Sequence, residues 1–127
     1  MAVMDQVITD QYAIYNGDSA EMLASIPDES VGMSIYSPPF ATENGGCLYN
    51  YSSSVRDLSN ARTYEEFFEH YGFIVKHIAR AMKPGRISAV HCMDVPKQGA
   101  NICGYTDFPG DIIRLHESLG FEMLPRI

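Results

Sequence analysis

Hydrophobic and polar positions along this chain change their spacing several times, and each change marks a boundary between two elements. Residues 12–15 are nearly all apolar and residues 31–36 alternate, which predicts two short strands. Between them, Asp18 and Glu21 form the pattern of a helix amino terminus, and the apolar stripe that follows ends at Pro27. The first part of the chain therefore predicts a strand, a helix of about two turns and a second strand.

The middle of the chain has the clearest helical spacing. Thr63 and Glu66 form a second capping pattern, and apolar residues then recur with a helical period until a Lys-Pro-Gly sequence at residues 83–85. Residues 86–93 are largely apolar, which predicts a strand that is buried on both faces.

The last part of the chain repeats this alternation. A final helix is predicted from about Phe108 to Leu119, and a strand-like segment, residues 121–127, follows it. The whole pattern predicts an α/β fold of about four mostly parallel strands with three helices. Four strands are few for such a sheet, and the last one has no helix after it. We therefore expect the chain to be the amino-terminal piece of a longer domain.

Two long segments show neither the helical nor the strand spacing of apolar residues. Residues 41–62 are rich in Gly, Asn, Ser and Tyr, and residues 94–106 also contain glycine. Both leave the carboxyl ends of predicted strands, the edge at which parallel α/β sheets bind ligands. Asp18, the turn at residues 37–40 and the strand end at residues 91–94 are therefore expected to converge there.

The composition is that of one globular domain, with 127 residues of which 46% are hydrophobic. No apolar run is long enough to span a membrane and the amino terminus has no leader pattern, so we expect a cytoplasmic protein. Cys47, Cys92 and Cys103 lack the spacing of a disulfide framework or a zinc site, and we expect all three to be reduced. The formal net charge of -7 weighs against nucleic-acid binding without excluding it, since a basic surface can lie on another part of an enzyme.

Two consecutive prolines end the second predicted strand, in the sequence Ser37-Pro38-Pro39-Phe40. They remove two backbone donors, so the turn presents hydrogen-bond acceptors beside an aromatic ring. Such a turn suits an exocyclic base amine, which is a poor nucleophile until acceptors hold its hydrogens. The Ser37 hydroxyl and the Pro38 carbonyl can each accept one hydrogen, and Phe40 can stack on a base flipped out of a duplex. A sulfonium methyl donor would then react by direct displacement.

Residues 36–40, Tyr-Ser-Pro-Pro-Phe, resemble the catalytic motif of the amino-methylating DNA methyltransferases. The Asn-Gly-Asp turn at residues 16–18 and the Met-Lys-Pro-Gly-Arg sequence at residues 82–86 fit the same family, so the resemblance extends from about residue 12 to 127. It is greatest for the permuted subgroup, in which the catalytic half precedes the cofactor-binding half. The resemblance implies a partial Rossmann-like methyltransferase fold, S-adenosylmethionine as cofactor, and DNA methylation at N4 of cytosine or N6 of adenine.

The resemblance also assigns roles by position. Ser37 and Pro38 would hold the target amine, Pro39 would shape the turn and Phe40 would stack on the flipped base. Asp18 would lie near the adenosyl group of the cofactor. Serine at the first motif position is more usual among the cytosine enzymes, so cytosine is favoured over adenine.

The sequence departs from the family in one respect. The glycine-rich Phe-x-Gly-x-Gly cofactor loop is absent, and so is a recognisable target-recognition region. Residues 1–127 therefore resemble the catalytic portion of a truncated methyltransferase domain, and we expect the isolated chain to be inactive or nearly so.

Other interpretations stay open. A related enzyme with the same motif could act on RNA or on a protein amide, and a truncated, non-catalytic module could form a homo-oligomer through exposed sheet edges. Asp18 is explained equally by helix capping, and His91 and Cys92 lie where core filling is expected. The aromatic and basic residues of the long loop either contact nucleic acid or decorate a mobile segment: Tyr49, Tyr51, Arg56 and Arg62.

Overall fold

The computed structural model describes residues 3–127, which form six strands and three α-helices. In chain order they are β1 (Val3–Ile8), β2 (Ala13–Gly17), α1 (Ser19–Ala24), β3 (Val31–Tyr36), α2 (Tyr64–Ala81), β4 (Met82–Val90), β5 (Val95–Pro96), β6 (Tyr105–Thr106) and α3 (Phe108–Ser118). Within these residues the strands form three pairs, of which β3–β4 is parallel and the other two are antiparallel. The α/β class is confirmed. The sequence predicts about four mostly parallel strands, whereas only one of the three strand pairs in these residues is parallel.

The amino-terminal hairpin joins β1 to β2, with Val7 opposite Ile14. The predicted strand at residues 12–15 is confirmed as part of β2. Strand β1 is not predicted from the sequence, because its apolar residues come in two adjacent pairs rather than alternating. Helix α1 follows the hairpin at the predicted place, begins after Asp18, and packs against α2.

The unit formed by β3, α2 and β4 is the part of the fold that the sequence predicts best. Strand β3 has the predicted bounds, and α2 begins after Thr63, whose hydroxyl accepts the backbone N–H of Glu66 at 3.0 Å. Local signals suffice here, since a capping side chain and an apolar stripe define a helix start without reference to distant residues.

The boundary between α2 and β4 differs from the prediction. Helix α2 ends at Ala81 and β4 begins with the next residue, so the predicted stop at residues 83–85 lies inside β4. The pairing register shifts there, and Gly85 has a φ of +72°, a left-handed value that glycine adopts without strain. Strand β4 therefore starts earlier than the predicted strand at residues 86–93, and it ends at Val90.

The β3–β4 pair has one covered face and one open face. Alternation along the strands directs four side chains toward α2 and α3: Ser34, Tyr36, Ser88 and Val90. Met33, Ile35 and Ile87 point to the other side and are 53%, 73% and 52% exposed. We call these three residues the open face. The prediction that β4 is buried on both faces is wrong for the described chain, because both helices pack on the same side.

The hydrophobic core lies between α2, α3 and the segments that leave β3 and β4. Its buried members are Ala41, Ala61, Phe67, Tyr71, Val75, Val95, Phe108 and Ile112. Aromatic rings dominate it, with the centroids of Phe67 and Phe108 5.7 Å apart. The motif turn therefore rests on a packed aromatic layer.

Hydrogen bonds order the long segment between β3 and α2. The Thr42 N–H donates to Gly46 O at 3.0 Å, and the Gly46 N–H donates to Ala61 O at 2.7 Å. Gly45 has a φ of +86°, and a Cβ at this residue would collide with the backbone of Arg62. A short 3-10 turn, Leu58–Asn60, completes the segment. These contacts fold the segment back onto the start of α2.

The carboxyl-terminal segment is where the sequence prediction fails. Residues 121–127 form no strand, although the pattern predicts one. A strand needs a neighbour for its backbone hydrogen bonds, and no strand of residues 3–127 lies beside this segment. Phe121 instead packs its ring against His116, with centroids 5.3 Å apart. In the described part of the chain, no helix is long and apolar enough to cross a membrane.

Candidate active site

The parallel pairing of β3 with β4 places the motif turn beside the end of β4. The His91 N–H donates to the Tyr36 carbonyl at 2.9 Å, which joins the two strand ends directly before the turn. Ser37 is exposed, Pro38 is buried, and Pro39 and Phe40 are half-buried. The carboxyl ends of two parallel strands thus present Ser37 to solvent, at the edge that the sequence predicts.

The Ser37 hydroxyl has a defined direction. Its Oγ lies 3.1 Å from the His91 carbonyl oxygen and 3.4 Å from His91 Nδ1. A carbonyl only accepts hydrogen bonds, so the hydroxyl proton is directed to His91. Whether or not His91 Nδ1 donates to Oγ, at least one lone pair of Oγ then remains available to accept a hydrogen from a group outside the protein.

The two prolines remove the backbone donors that would otherwise compete at this turn. Within residues 3–127 no hydrogen-bond donor reaches the Pro38 carbonyl. The turn therefore combines a hydroxyl whose proton is occupied with a carbonyl that accepts no hydrogen bond, an arrangement suited to a ligand that donates two hydrogens.

The Phe40 ring is fixed by its neighbours. Its centroid lies 6.0 Å from that of Phe108 in the core and 6.0 Å from that of His91, with tilted planes in both pairs. The Phe40 carbonyl also accepts the Leu48 N–H at 3.0 Å. A half-buried ring held on the core side can serve as a rigid aromatic surface next to the Ser37 acceptor.

Sequence reasoning placed residues 91–94 at this edge but missed a role for the His91 side chain. It was expected to fill the core, and it is instead exposed, one residue beyond the end of β4. Its position in sequence could have revealed it, because the residue after a strand that neighbours the motif strand lies beside the motif. Cys92 is half-buried and packs against the core as expected, and burial raises the pKa of its thiol.

Asp18 lies at the amino terminus of α1, and its contacts are those of a helix cap. Its Oδ1 accepts the backbone N–H groups of Ala20 at 2.9 Å and Glu21 at 3.4 Å. Its Oδ2 lies 3.5 Å from Arg56 Nε, while the Arg56 guanidinium donates to Glu21 at 2.6 Å. No hydrogen bond or ion pair within residues 3–127 connects Asp18 to the motif turn.

The arginines of the long loop are held by carboxylates. Arg56 contacts Asp18 and Glu21, and Arg62 donates to Glu66 at 2.9 Å. Hydrogen bonds from Arg62 lower the pKa of Glu66 to about 2, so this pair stays charged at neutral pH. The loop tyrosines are largely exposed and lie outside these pairs.

Two surface hollows of the described residues lie away from the motif turn. Both are lined by residues between 53 and 70, none of which belongs to the motif turn. Asp18 directs its oxygens at its own helix and at Arg56. Neither these hollows nor the contacts of Asp18 provide a binding place for S-adenosylmethionine beside Ser37.

The fold of this chain is similar to part of the solved structures of larger DNA-modifying proteins. A protein from Thermus thermophilus, provisionally assigned as a DNA modification methylase, matches 86% of this chain with a TM-score of 0.62 and 26% identity. A structure of the same protein complexed with S-adenosyl-L-methionine matches 85% of the chain with a TM-score of 0.63 and 25% identity. The cytosine-N4-specific PvuII DNA methyltransferase matches 84% with a TM-score of 0.56 and 24% identity, a likeness of fold.

These matches cover most of this chain and a minor part of the other proteins. The chain spans 38% and 39% of the two Thermus thermophilus structures and 34% of the PvuII enzyme. No protein-family model matches the sequence, and no curated protein matches it. The chain thus has a partial methyltransferase fold, and the activity of the larger proteins concerns this chain only as a proposal.

Proposed function

We propose that this chain is the target-binding part of an S-adenosylmethionine-dependent DNA methyltransferase of the permuted subgroup. It would hold an exocyclic base amine, cytosine N4 in preference to adenine N6, for direct methyl transfer. The observation that carries the proposal is the turn at Ser37, where the hydroxyl proton is directed to the His91 carbonyl and the following prolines offer no N–H.

The hydrogen bonds of the turn support a grip on an amine. An amine hydrogen could approach exposed Ser37 Oγ without displacing the bond to His91, and the Pro38 carbonyl is proposed as the acceptor of a second once the base is bound. Two acceptors draw the nitrogen out of conjugation with the ring and leave its lone pair free to attack. Because the acceptors are fixed before the base arrives, little reorganisation accompanies binding.

The position of Phe40 supports base stacking. Phe108 backs its ring from the core, and the adjacent Ser37 is exposed, so a flipped base could lie over Phe40 with its amine toward the serine. Cytosine is favoured by serine at the first motif position, and one solved enzyme of this fold is cytosine-N4-specific.

The donor site is proposed to come from the rest of a methyltransferase fold. The Thermus thermophilus protein that matches this chain has been solved with S-adenosylmethionine, and this chain corresponds to 39% of it. The open face of β3–β4 is an apolar surface on which further elements could pack, since parallel strands are normally covered on both sides. Asp18 is proposed to lie near the adenosyl group in that complete fold, in addition to capping α1.

The proposal is tested by methyl transfer in a version of the protein that also carries a cofactor-binding part. Ser37→Ala and Phe40→Ala should each abolish transfer of tritiated methyl groups to DNA. Ser34→Ala is the matched control, because it removes a hydroxyl from the same strand at a residue bonded only to Ser88, at 2.6 Å. Activity retained in both Ser37→Ala and Phe40→Ala would remove these residues from catalysis. Mass spectrometry of the product nucleosides distinguishes methylation at cytosine N4 from adenine N6.

A second candidate function is a non-catalytic module that self-associates, and the exposed apolar open face favours it. Titration of the isolated chain with S-adenosylmethionine, together with its mass by light scattering, separates the two. A dimer without cofactor binding supports the module. Saturable cofactor binding or sequence-dependent methylation by the isolated chain would contradict our placement of the donor site outside residues 3–127.

A further inference from the structure

Beneath the motif turn, three side chains from three elements form one buried chain of hydrogen bonds. The Tyr71 hydroxyl of α2 lies 2.7 Å from the Tyr36 hydroxyl of β3, which in turn lies 3.0 Å from His116 Nε2 of α3. The second ring nitrogen, His116 Nδ1, lies 2.7 Å from the Ile112 carbonyl oxygen. Tyr71 is 1% exposed and His116 is 8% exposed, so water scarcely competes for these groups.

The direction of every bond in this chain follows from its last member. The Ile112 carbonyl can only accept, so His116 Nδ1 carries the proton and Nε2 is left as an acceptor. The Tyr36 hydroxyl must then donate to Nε2, and the Tyr71 hydroxyl must donate to Tyr36. We call this directed series, Tyr71 to Tyr36 to His116, the buried relay.

The buried relay is attached directly to the proposed active site. Tyr36 precedes Ser37, and its carbonyl accepts the His91 N–H at 2.9 Å. The His91 carbonyl in turn accepts the Ser37 hydroxyl at 3.1 Å. Any displacement of Tyr36 therefore changes both the joint between β3 and β4 and the direction of the Ser37 hydroxyl.

We propose that the buried relay holds the Ser37 turn in its amine-accepting geometry, and that Tyr36 and His116 are positioning residues that require the neutral, Nδ1-protonated form of His116. The part of this inference that concerns amine binding at Ser37 rests on the proposed function. Its structural content, the tautomer and the coupling to His91, stands on the distances alone.

Protonation of His116 would oppose the relay. With a proton on Nε2, Tyr36 must accept from the ring, so the Tyr36 hydroxyl proton loses its acceptor; if Tyr36 donates to Tyr71 instead, the Tyr71 proton loses its acceptor. The titratable groups that face the ring are Tyr36 from β3 and Tyr71 from α2, and Cys92 lies close enough to act on both hydroxyls. None of these carries a charge at neutral pH that would stabilise an imidazolium.

The sign of the pH dependence follows from burial. Burial lowers the pKa of His116 in the folded protein, and the bond to Ile112 opposes this only in part. The folded state therefore binds fewer protons than the unfolded state, where the histidine pKa is about 6.5. The contribution of the neutral ring to stability is complete above that pH and declines as the pH falls from about 6.5 toward the folded pKa.

The first test is the nitrogen NMR spectrum of His116 in the intact chain at pH 7.5. We expect a proton on Nδ1 and none on Nε2, which is the reverse of the tautomer that isolated histidine favours in water. A proton on Nε2 would overturn the relay, and this measurement requires no variant and no enzymatic activity.

The second test is hydrogen exchange at the His91 amide, which reports on the joint between the strands. Tyr36→Phe and His116→Leu should accelerate this exchange by roughly five- to tenfold, about the effect of one lost hydrogen bond. His116→Gln should restore most of the protection, because its amide oxygen can accept from Tyr36, and it should abolish the decline below about pH 6.5 that we expect of the native chain.

Tyr64→Phe is the matched control, since it removes a tyrosine hydroxyl that links the same two helices through Asp111 at 2.6 Å without touching β3. It should leave exchange at His91 within about twofold of the native chain. If Tyr64→Phe and Tyr36→Phe accelerate exchange at His91 equally, the relay contributes only to general stability, and the proposal is overturned. Absence of methylation in the separate activity assay would contradict the proposed function and leave these measurements unaffected.

Discussion

Replacement of Ile35 by threonine should barely change the stability of the isolated chain, although Ile35 lies inside a strand. The side chain belongs to the open face and is 73% exposed, so the fold covers only about a quarter of it. Full burial of an isoleucine side chain contributes about 1.5–3 kcal/mol, so the covered part contributes ~0.4–0.8 kcal/mol. Threonine keeps the β-branched shape that strands favour, and the free energy of unfolding should fall by no more than this amount.

The same substitution in the core provides the control. Ile78 lies on α2 and is 7% exposed, so Ile78→Thr removes buried apolar surface and introduces a hydroxyl into the interior. We expect it to cost about 2–4 kcal/mol. Urea unfolding followed by circular dichroism measures both variants, at a low and a high protein concentration.

The comparison of the two variants tests the open face directly. If Ile35→Thr costs as much as Ile78→Thr at every concentration, Ile35 is covered within the monomer and our assignment of the open face is refuted. If its cost appears only at the higher concentration, a second copy covers the face, which supports the self-associating module. A small cost at both concentrations supports a surface that stays open in the isolated chain.

Two further predictions concern the helix cap at Asp18 and the reactivity of the cysteines. Asp18→Ala should destabilise the chain by about 1 kcal/mol through loss of the cap on α1, while Asp18→Asn should cost much less because its side chain still accepts from the Ala20 N–H. Thermal unfolding measures the stability of both variants. Equal losses of stability would show that the charge of Asp18 matters rather than the cap. Iodoacetamide at pH 8 should modify exposed Cys103 well before Cys47, because burial raises the pKa of the Cys47 thiol to about 12. Mass spectrometry gives the order in which the cysteines are modified. Early modification of Cys47 would contradict this prediction.

The elements that could be predicted from the sequence are those with local signals. Helix α2 is marked by the Thr63 cap and a long apolar stripe, and β3 ends where Pro38 removes a donor. Strand β1 and the segment at residues 121–127 depend instead on a partner strand. Strand β1 pairs with β2 although its own apolar residues do not alternate. Residues 121–127 have the sequence pattern of a strand, but no strand of residues 3–127 pairs with them.

The candidate site was predictable in its sequence-local part. Ser37, Pro38, Pro39 and Phe40 are adjacent in the chain, so the proline pair alone indicates a turn rich in acceptors. The direction of the Ser37 hydroxyl was not predictable, because it depends on His91, which is 54 residues away in sequence. The buried relay is likewise invisible in the sequence, since its three members come from three separate elements.

The distribution of side chains on β3 and β4 connects these observations to the proposed function. Burial normally selects apolar residues, yet the covered face of this pair carries Ser34 and Ser88, whose hydroxyls bond to each other at 2.6 Å, while Ile35 and Met33 lie on the exposed side. Exposure of Ile35 and Met33 does not contribute hydrophobic burial to the isolated chain. The arrangement becomes favourable when a second layer packs on the apolar side, as in a parallel sheet with both faces covered. Under the proposed function, one arrangement would account for both the open face and the donor site, because the elements that cover Ile35 would also complete the site beside Ser37.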